Sequence, residues 1–199
     1  MTAPTRPPSK RMPKAERHEQ LLETALAIIG EQGADALTLG VLAERAGVSK
    51  PVTYEHFGTR SGLLIELYKR IDDRQAADMT EALAHAPREL AAVARVISVS
   101  YLTCHITAGP EWHAISAALK GNAEMAAVQQ ELVERCIEIL RDALAPFSAL
   151  PAGELHVRCV GLIGAAEALS QRIARGLLGE ARAIDNLTAL IVGGIDAKN

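Results

Sequence analysis

From residue 14 onward, apolar positions recur every three or four residues, with charged residues between them. Leu21, Leu22, Ala25, Leu26, Ile28 and Ile29 predict a first helix over Lys14–Gln32. Gly33 can take positive φ and end it. A second helix begins after Thr38, whose hydroxyl can cap it, and turns Leu39, Leu42, Ala43 and Ala46 inward. The run Ala46-Gly47-Val48-Ser49 then reverses the chain: Gly47 tolerates the tight turn, Val48 fills the gap and Ser49 caps the next helix. That helix, Lys50–Phe57, has Pro51 in its first turn, Val52 and Phe57 as expected anchors, and Gly58 at its end.

Farther along, the pattern predicts a long helix from Thr59 towards Ala84, then helices over about 88–107, 111–119, up to Leu144, 154–176 and 183–195. His85-Ala86-Pro87, Ala108-Gly109-Pro110 and Gly121-Asn122 separate the first four of these. No stretch alternates as a strand does, and no Asn-Gly or Asp-Gly turn is present. The expected fold is all-α, divided into an arm (1–13), a helix-turn-helix unit (14–58) and a larger helical domain (59–199). With only six aromatic residues in 199, Ala, Leu, Ile and Val must build the core, which suits helix packing.

Charge sharpens this division. The net charge is -3, yet residues 1–70 carry ten Lys/Arg against eight Asp/Glu (+2), while 71–199 carry eleven against sixteen (-5). Arg6, Lys10, Arg11, Lys14 and Arg17 form a basic arm suited to a phosphate backbone or a solvated tail. Two helices joined by a tight glycine turn can place the second in the major groove of double-stranded DNA. Lys50, Thr53, Tyr54 and His56 crowd that second helix, where lysine can reach a guanine edge or phosphate and the others can donate to phosphate. Ser49, Pro51, Thr38 and Arg60 flank them.

The run TLGVLAERAGVSKPVTYEHFGTRSGLL (38–64) resembles the DNA-binding region of the TetR family of bacterial transcriptional regulators, with a matching stretch from about Arg17 to Tyr68. The resemblance implies a three-helix N-terminal domain, a connecting helix, and a variable helical domain that dimerises and binds an effector. It assigns Thr38, Tyr54, His56 and Arg60 to phosphate contacts, and Lys50, Pro51 and Thr53 to the groove-facing end of the recognition helix. Arg60 stands where lysine is commoner, and Gly62 is expected to loosen the start of the connecting helix. The implied function is a ligand-responsive regulator, a repressor before an activator. Its effector would move the helix that begins at Thr59.

Two features of the second half bear on that role. Gly161, Gly164, Ala165 and Ala168 form a shallow stripe on a helix that is apolar over most of its circumference. Leu155, Cys159, Leu162, Ile163, Ala166, Leu169 and Ile173, with Leu187, Leu190 and Ile191 of the last helix, are the expected homodimer surface. Tyr101, Cys104, His105, Trp112, His113 and Met125 are the candidate lining of an effector pocket for a small, mostly apolar ligand.

Rival functions find less support. Cys104, His105, Glu111 and His113 match no metal-ligand spacing, so no metal is expected. No nucleophile–base order, phosphate-cradling glycine loop, HExxH or paired-carboxylate signature points to an enzyme or a cofactor. A structural dimer that has lost DNA recognition would have no use for Lys50, Tyr54, His56 and Arg60 together. The three widely spaced cysteines fit a reducing cytoplasm, the N-terminus lacks the apolar core of a secretion signal, and no window has the roughly 18 apolar residues of a membrane span.

Overall fold

The computed structural model describes the backbone of residues 12–107 and 109–195; the side chains of 104–110 and 113 are outside the described residues. The described chain is helical without strands: α1 (Lys14–Gln32), α2 (Leu39–Arg45), α3 (Lys50–Phe57), α4 (Arg60–His85), α5 (Leu90–Thr107), α6 (Gly109–Ala118), α7 (Ala123–Leu144), α8 (Ala152–Ala174) and α9 (Glu180–Ile195). Short 3-10 turns at Ala34–Ala36 and Ala145–Phe147 follow α1 and α7. Among the described residues, no helix is long and apolar enough to cross a membrane.

The chain divides into two compact units, one through Leu67 and one from Tyr68. The first unit takes in the opening turns of α4, beyond the expected limit at residue 58, because Leu63, Leu64 and Leu67 are buried. They join Leu21, Ala25, Ile28, Leu37, Leu42 and Phe57 among the buried apolar residues of that unit. The expected basic arm lies almost wholly outside the described residues.

In the second unit, α5 packs on α8 and α9, and α7 packs on α8. Ile97 and Leu102 of α5, Leu140 and Leu144 of α7, Leu155, Cys159 and Ile163 of α8, and Leu187 and Ile191 of α9 form one core cluster. This corrects the expected dimer surface. Leu155, Cys159, Leu162, Ile163, Ala166, Leu187 and Ile191 are buried within their own chain, Leu169 and Ile173 pack half-buried against the same core, and only Leu190 is exposed. On a helix apolar over most of its circumference, periodicity distinguishes the inward from the outward face only weakly. Of the small-residue stripe named from the sequence, Gly161, Gly164 and Ala168 are exposed and Ala165 is half-buried; Val157 and Val160 extend this outward face of α8. Ala189, Leu190 and Gly193 face outward on α9.

Candidate DNA-reading surface and ligand cavity

The turn between α2 and α3 follows directly from its sequence. Thr38 caps α2, its Oγ1 accepting from the Val41 amide at 3.1 Å. At the other end, Gly47 takes φ of 65°; its amide donates to the Glu44 carbonyl and the Val48 amide donates to the Ala43 carbonyl. These two bonds are the paired closure of a left-handed helix stop, a conformation glycine adopts without strain. Ser49 occupies the N-cap position of α3 with extended backbone but makes no side-chain cap bond, so its expected capping is not seen.

Which side of α3 faces out is decided by Thr53 and Phe57, one helical turn apart and both buried. Thr53 is 0% exposed, and its Oγ1 lies 2.9 Å from both the Leu39 and Lys50 carbonyl oxygens. This corrects its expected role at the groove: its hydroxyl ties α3 to the start of α2, and Val52, expected as an anchor, is only half-buried. Lys50, Pro51 and Tyr54 remain outward, Tyr54 with 56% of its surface exposed, and Thr38 and Ser49 are exposed nearby. Gly40 leaves room for the Lys50 stem, whose Cε lies 3.6 Å from where a Cβ at Gly40 would stand. Glu55, the acid on this face, has its carboxylate 3.1 Å from Lys14 Nζ, which offsets its repulsion of a phosphate backbone.

Two expected phosphate ligands have partners inside the protein. Arg60 directs Nε to the Leu37 carbonyl and a terminal nitrogen to the Ala34 carbonyl, both at 2.7 Å, so it ties α4 to the loop before α2. His56 is half-buried, with its Nδ1 3.2 Å from Nδ1 of His18, whose Nε2 lies 2.9 Å from Glu66. His18 was not evident as a partner in the sequence; the pairing joins α1 to α3 across 38 residues. Burial first, then the nearby His18 and Lys14, lowers the His56 pKa from its ordinary 6.5 against the opposing pull of Glu55 and Glu66. The fold therefore favours neutral His56. Its contribution to stability is present above pH 6.5 and is lost as pH falls through 6.5 towards the lowered value. Thermal unfolding from pH 7.5 down to 5.5 should show a loss in the wild type that His56→Gln reduces. An identical slope in the two proteins would contradict it.

Gly62 has a stricter reason than helix loosening. A Cβ there would lie 2.4 Å from the Phe57 carbonyl oxygen, a backbone atom at the α3–α4 corner. Thr59 caps α4 through its Oγ1, which accepts from the Gly62 amide at 2.9 Å. Gly62→Ala should destabilise the protein by about 1–2 kcal/mol after its gain in helix propensity, lowering Tm by roughly 5 °C. Gly40→Ala, whose Cβ would meet only side-chain atoms at ordinary distances, is the tolerated control. Equal Tm values for the two variants would refute the close approach.

The second unit contains a cavity of about 500 Å³ lined from α4, α5, α6, α7 and α8. Tyr101 and Trp112 are among its lining residues, and the Trp112 and Tyr68 rings stack with centroids 5.7 Å apart. Met125 is buried and lines a neighbouring, more open cleft. The side chains of Cys104, His105 and His113 are outside the described residues. Sequence reading missed the charged wall: Asp72, Arg135 and Glu167. Arg135 hydrogen-bonds Asp72 and Asp73, and burial raises the Asp72 pKa despite that guanidinium. Burial pushes the Cys136 thiol up to about 12, so it is a neutral part of the wall at pH 7. Away from the cavity, His156 lies 3.7 Å from Glu134 and 3.6 Å from Glu138, a three-residue group able to approach one cation, although Glu138 is also paired with Arg141.

An exposed helix-turn-helix face on a compact N-terminal unit, followed by a helical unit with a half-open cavity, defines a DNA-binding regulator. Residues 21–67 match the family of bacterial regulatory proteins, tetR family. The chain is 26% identical over 180 residues to the HTH-type transcriptional activator FasR of Mycolicibacterium smegmatis, covering 90% of this chain and 80% of that one. A putative TetR-family transcriptional regulator from Rhodococcus sp. superposes with a TM-score of 0.67 at 19% identity, covering 91% and 100%. FadR from Bacillus subtilis, solved in complex with stearoyl-CoA, does so at 0.63 and 16%, covering 92% and 100%. At those identities the two structures show the shared fold. Residues 21–67 thus carry a tetR-family DNA-binding module, and the relative that spans most of the chain is a transcriptional regulator rather than an enzyme.

Proposed function

We propose that this protein is a homodimeric, cytoplasmic repressor that a small molecule releases from a pseudo-palindromic operator. The observation carrying the reading is the placement of α4. Its first turns belong to the DNA-binding unit, while Tyr68, Asp72, Gln75, Ala76 and Met79 farther along the same helix line the cavity. A ligand that prefers one position of this helix shifts the equilibrium between DNA-competent and DNA-incompetent states by its difference in affinity for them.

Thr38, Ser49, Lys50, Pro51 and Tyr54 supply the DNA contacts in this reading. Tyr54 donates to phosphate, and Lys50 reaches a base edge or phosphate. Dimerisation uses the outward stripe of α8 and the outward side of α9, since two recognition helices must be held together to read two half-sites. The glycines at 161 and 164 allow two such helices to approach closely. The cytoplasm is where operator DNA and a reducing milieu for three cysteines coincide.

The test is transcription from a reporter promoter carrying the protein's operator, with and without a cavity ligand. Repression without ligand, relieved when the ligand is added, is the expected pattern. Transcription that requires the protein on DNA would make it an activator, the role named for FasR.

A further inference from the structure

The cavity wall carries a charge pattern that selects among ligands. We infer that the cavity takes an amphiphilic cation: one positive charge, such as a quaternary ammonium, on an apolar body. The inference rests on the ligand-binding reading above and names the ligand's chemical class.

Three of the chain's six aromatic residues, Tyr68, Tyr101 and Trp112, line the cavity beside Met79, Leu132, Val133, Ile139 and Ile163. Aromatic faces carry negative quadrupole potential and attract a desolvated cation. Among the described residues the charged lining is Asp72, Glu167 and Arg135, two acids against one base. Arg135 is already committed: one terminal nitrogen donates to Asp72 and the other to Asp73. An anionic ligand would compete with Asp72 and Asp73 for the guanidinium and meet Glu167 as a like charge, so it gains little from this wall. A cation leaves that arrangement intact and gains the uncancelled charge at Glu167, which stands exposed on α8.

Because Trp112 is the only tryptophan, its fluorescence reports the cavity without a label. The full-length protein is titrated with decyltrimethylammonium, 1-decanol and decanoate, all below micellar concentration, while circular dichroism monitors helix content. Decyltrimethylammonium should bind at least tenfold more tightly than decanol, with decanoate weakest. Glu167→Gln, at an exposed position, should reduce the cation's advantage several-fold and leave decanol affinity unchanged. Asp72→Asn, by removing the charge of one of Arg135's two carboxylate partners, should improve decanoate binding. Decanoate or decanol binding as tightly as the cation to the wild type would overturn the inference and leave the ligand-binding reading standing. Failure of all three probes to change Trp112 emission would overturn both.

Discussion

Gly164→Arg is expected to halve the molecular mass in sedimentation equilibrium and to weaken operator binding by about a hundredfold. Gly164 is exposed on α8, and a Cβ there would meet nothing within 4 Å of its own chain. Arginine therefore fits the protomer, and the fold should persist with unchanged helix content. Against a second copy, the same side chain would put bulk and charge where Val157, Val160, Gly161 and Ala168 need close apolar contact. Losing the dimer removes the second half-site contact, and with it an avidity factor of roughly 10² or more. Leu162→Ala makes the contrast, because Leu162 belongs to the protomer's own core. It should lower stability by about 2–5 kcal/mol and leave the folded fraction dimeric. A Gly164→Arg protein that remains dimeric would place the interface elsewhere.

Lys50→Glu is expected to reduce operator affinity by about two orders of magnitude at moderate salt and to flatten its dependence on salt concentration. The lysine is exposed at the first position of α3, beside the gap left by Gly40, so reversing its charge perturbs nothing buried. The loss combines one favourable contact worth about 1–3 kcal/mol with new repulsion of the phosphates. Tyr54→Phe is the graded companion. Removing one hydroxyl from a ring with 56% of its surface exposed should weaken binding about tenfold, equally for all sequences. If Lys50 reads a base edge, its variants also change which operators are preferred. Competition binding with operator variants separates the two effects. Unaltered affinity for Lys50→Glu would show that α3 does not face the DNA through this surface.

The positions of these residues were unevenly legible in the sequence. Helix limits were read closely: α1 and α3 match the expected ranges, because Gly33 and Gly58 stop them at positive φ. Thr53 was misjudged because α3 has few apolar residues to orient it, and a buried threonine anchored by its hydroxyl looks like any polar groove residue. On α8 the small-residue stripe was legible, but the large apolar residues beside it were given to the dimer surface because so much of the circumference is apolar that periodicity separates the two faces poorly. Arg60 and His56 were read as free donors. Their partners, the Ala34 and Leu37 carbonyls and His18, are set by tertiary packing across 23 to 38 residues. In the cavity the aromatic residues stood out as rare types, but the Asp72–Arg135–Asp73 group joins α4 to α7 across more than sixty residues. Nothing in local spacing announces such a pairing.

Selection of bound fragments from the source organism's genomic DNA, followed by affinity measurement across a series of salt concentrations, tests DNA recognition most directly. The structure leads us to expect enrichment of a pseudo-palindromic site, bound by the dimer far more tightly than a scrambled duplex and weakening steeply as salt rises. Recovery of no shared sequence, with every fragment held as weakly as the scrambled duplex, would contradict the assignment of Lys50 and Tyr54 to operator recognition.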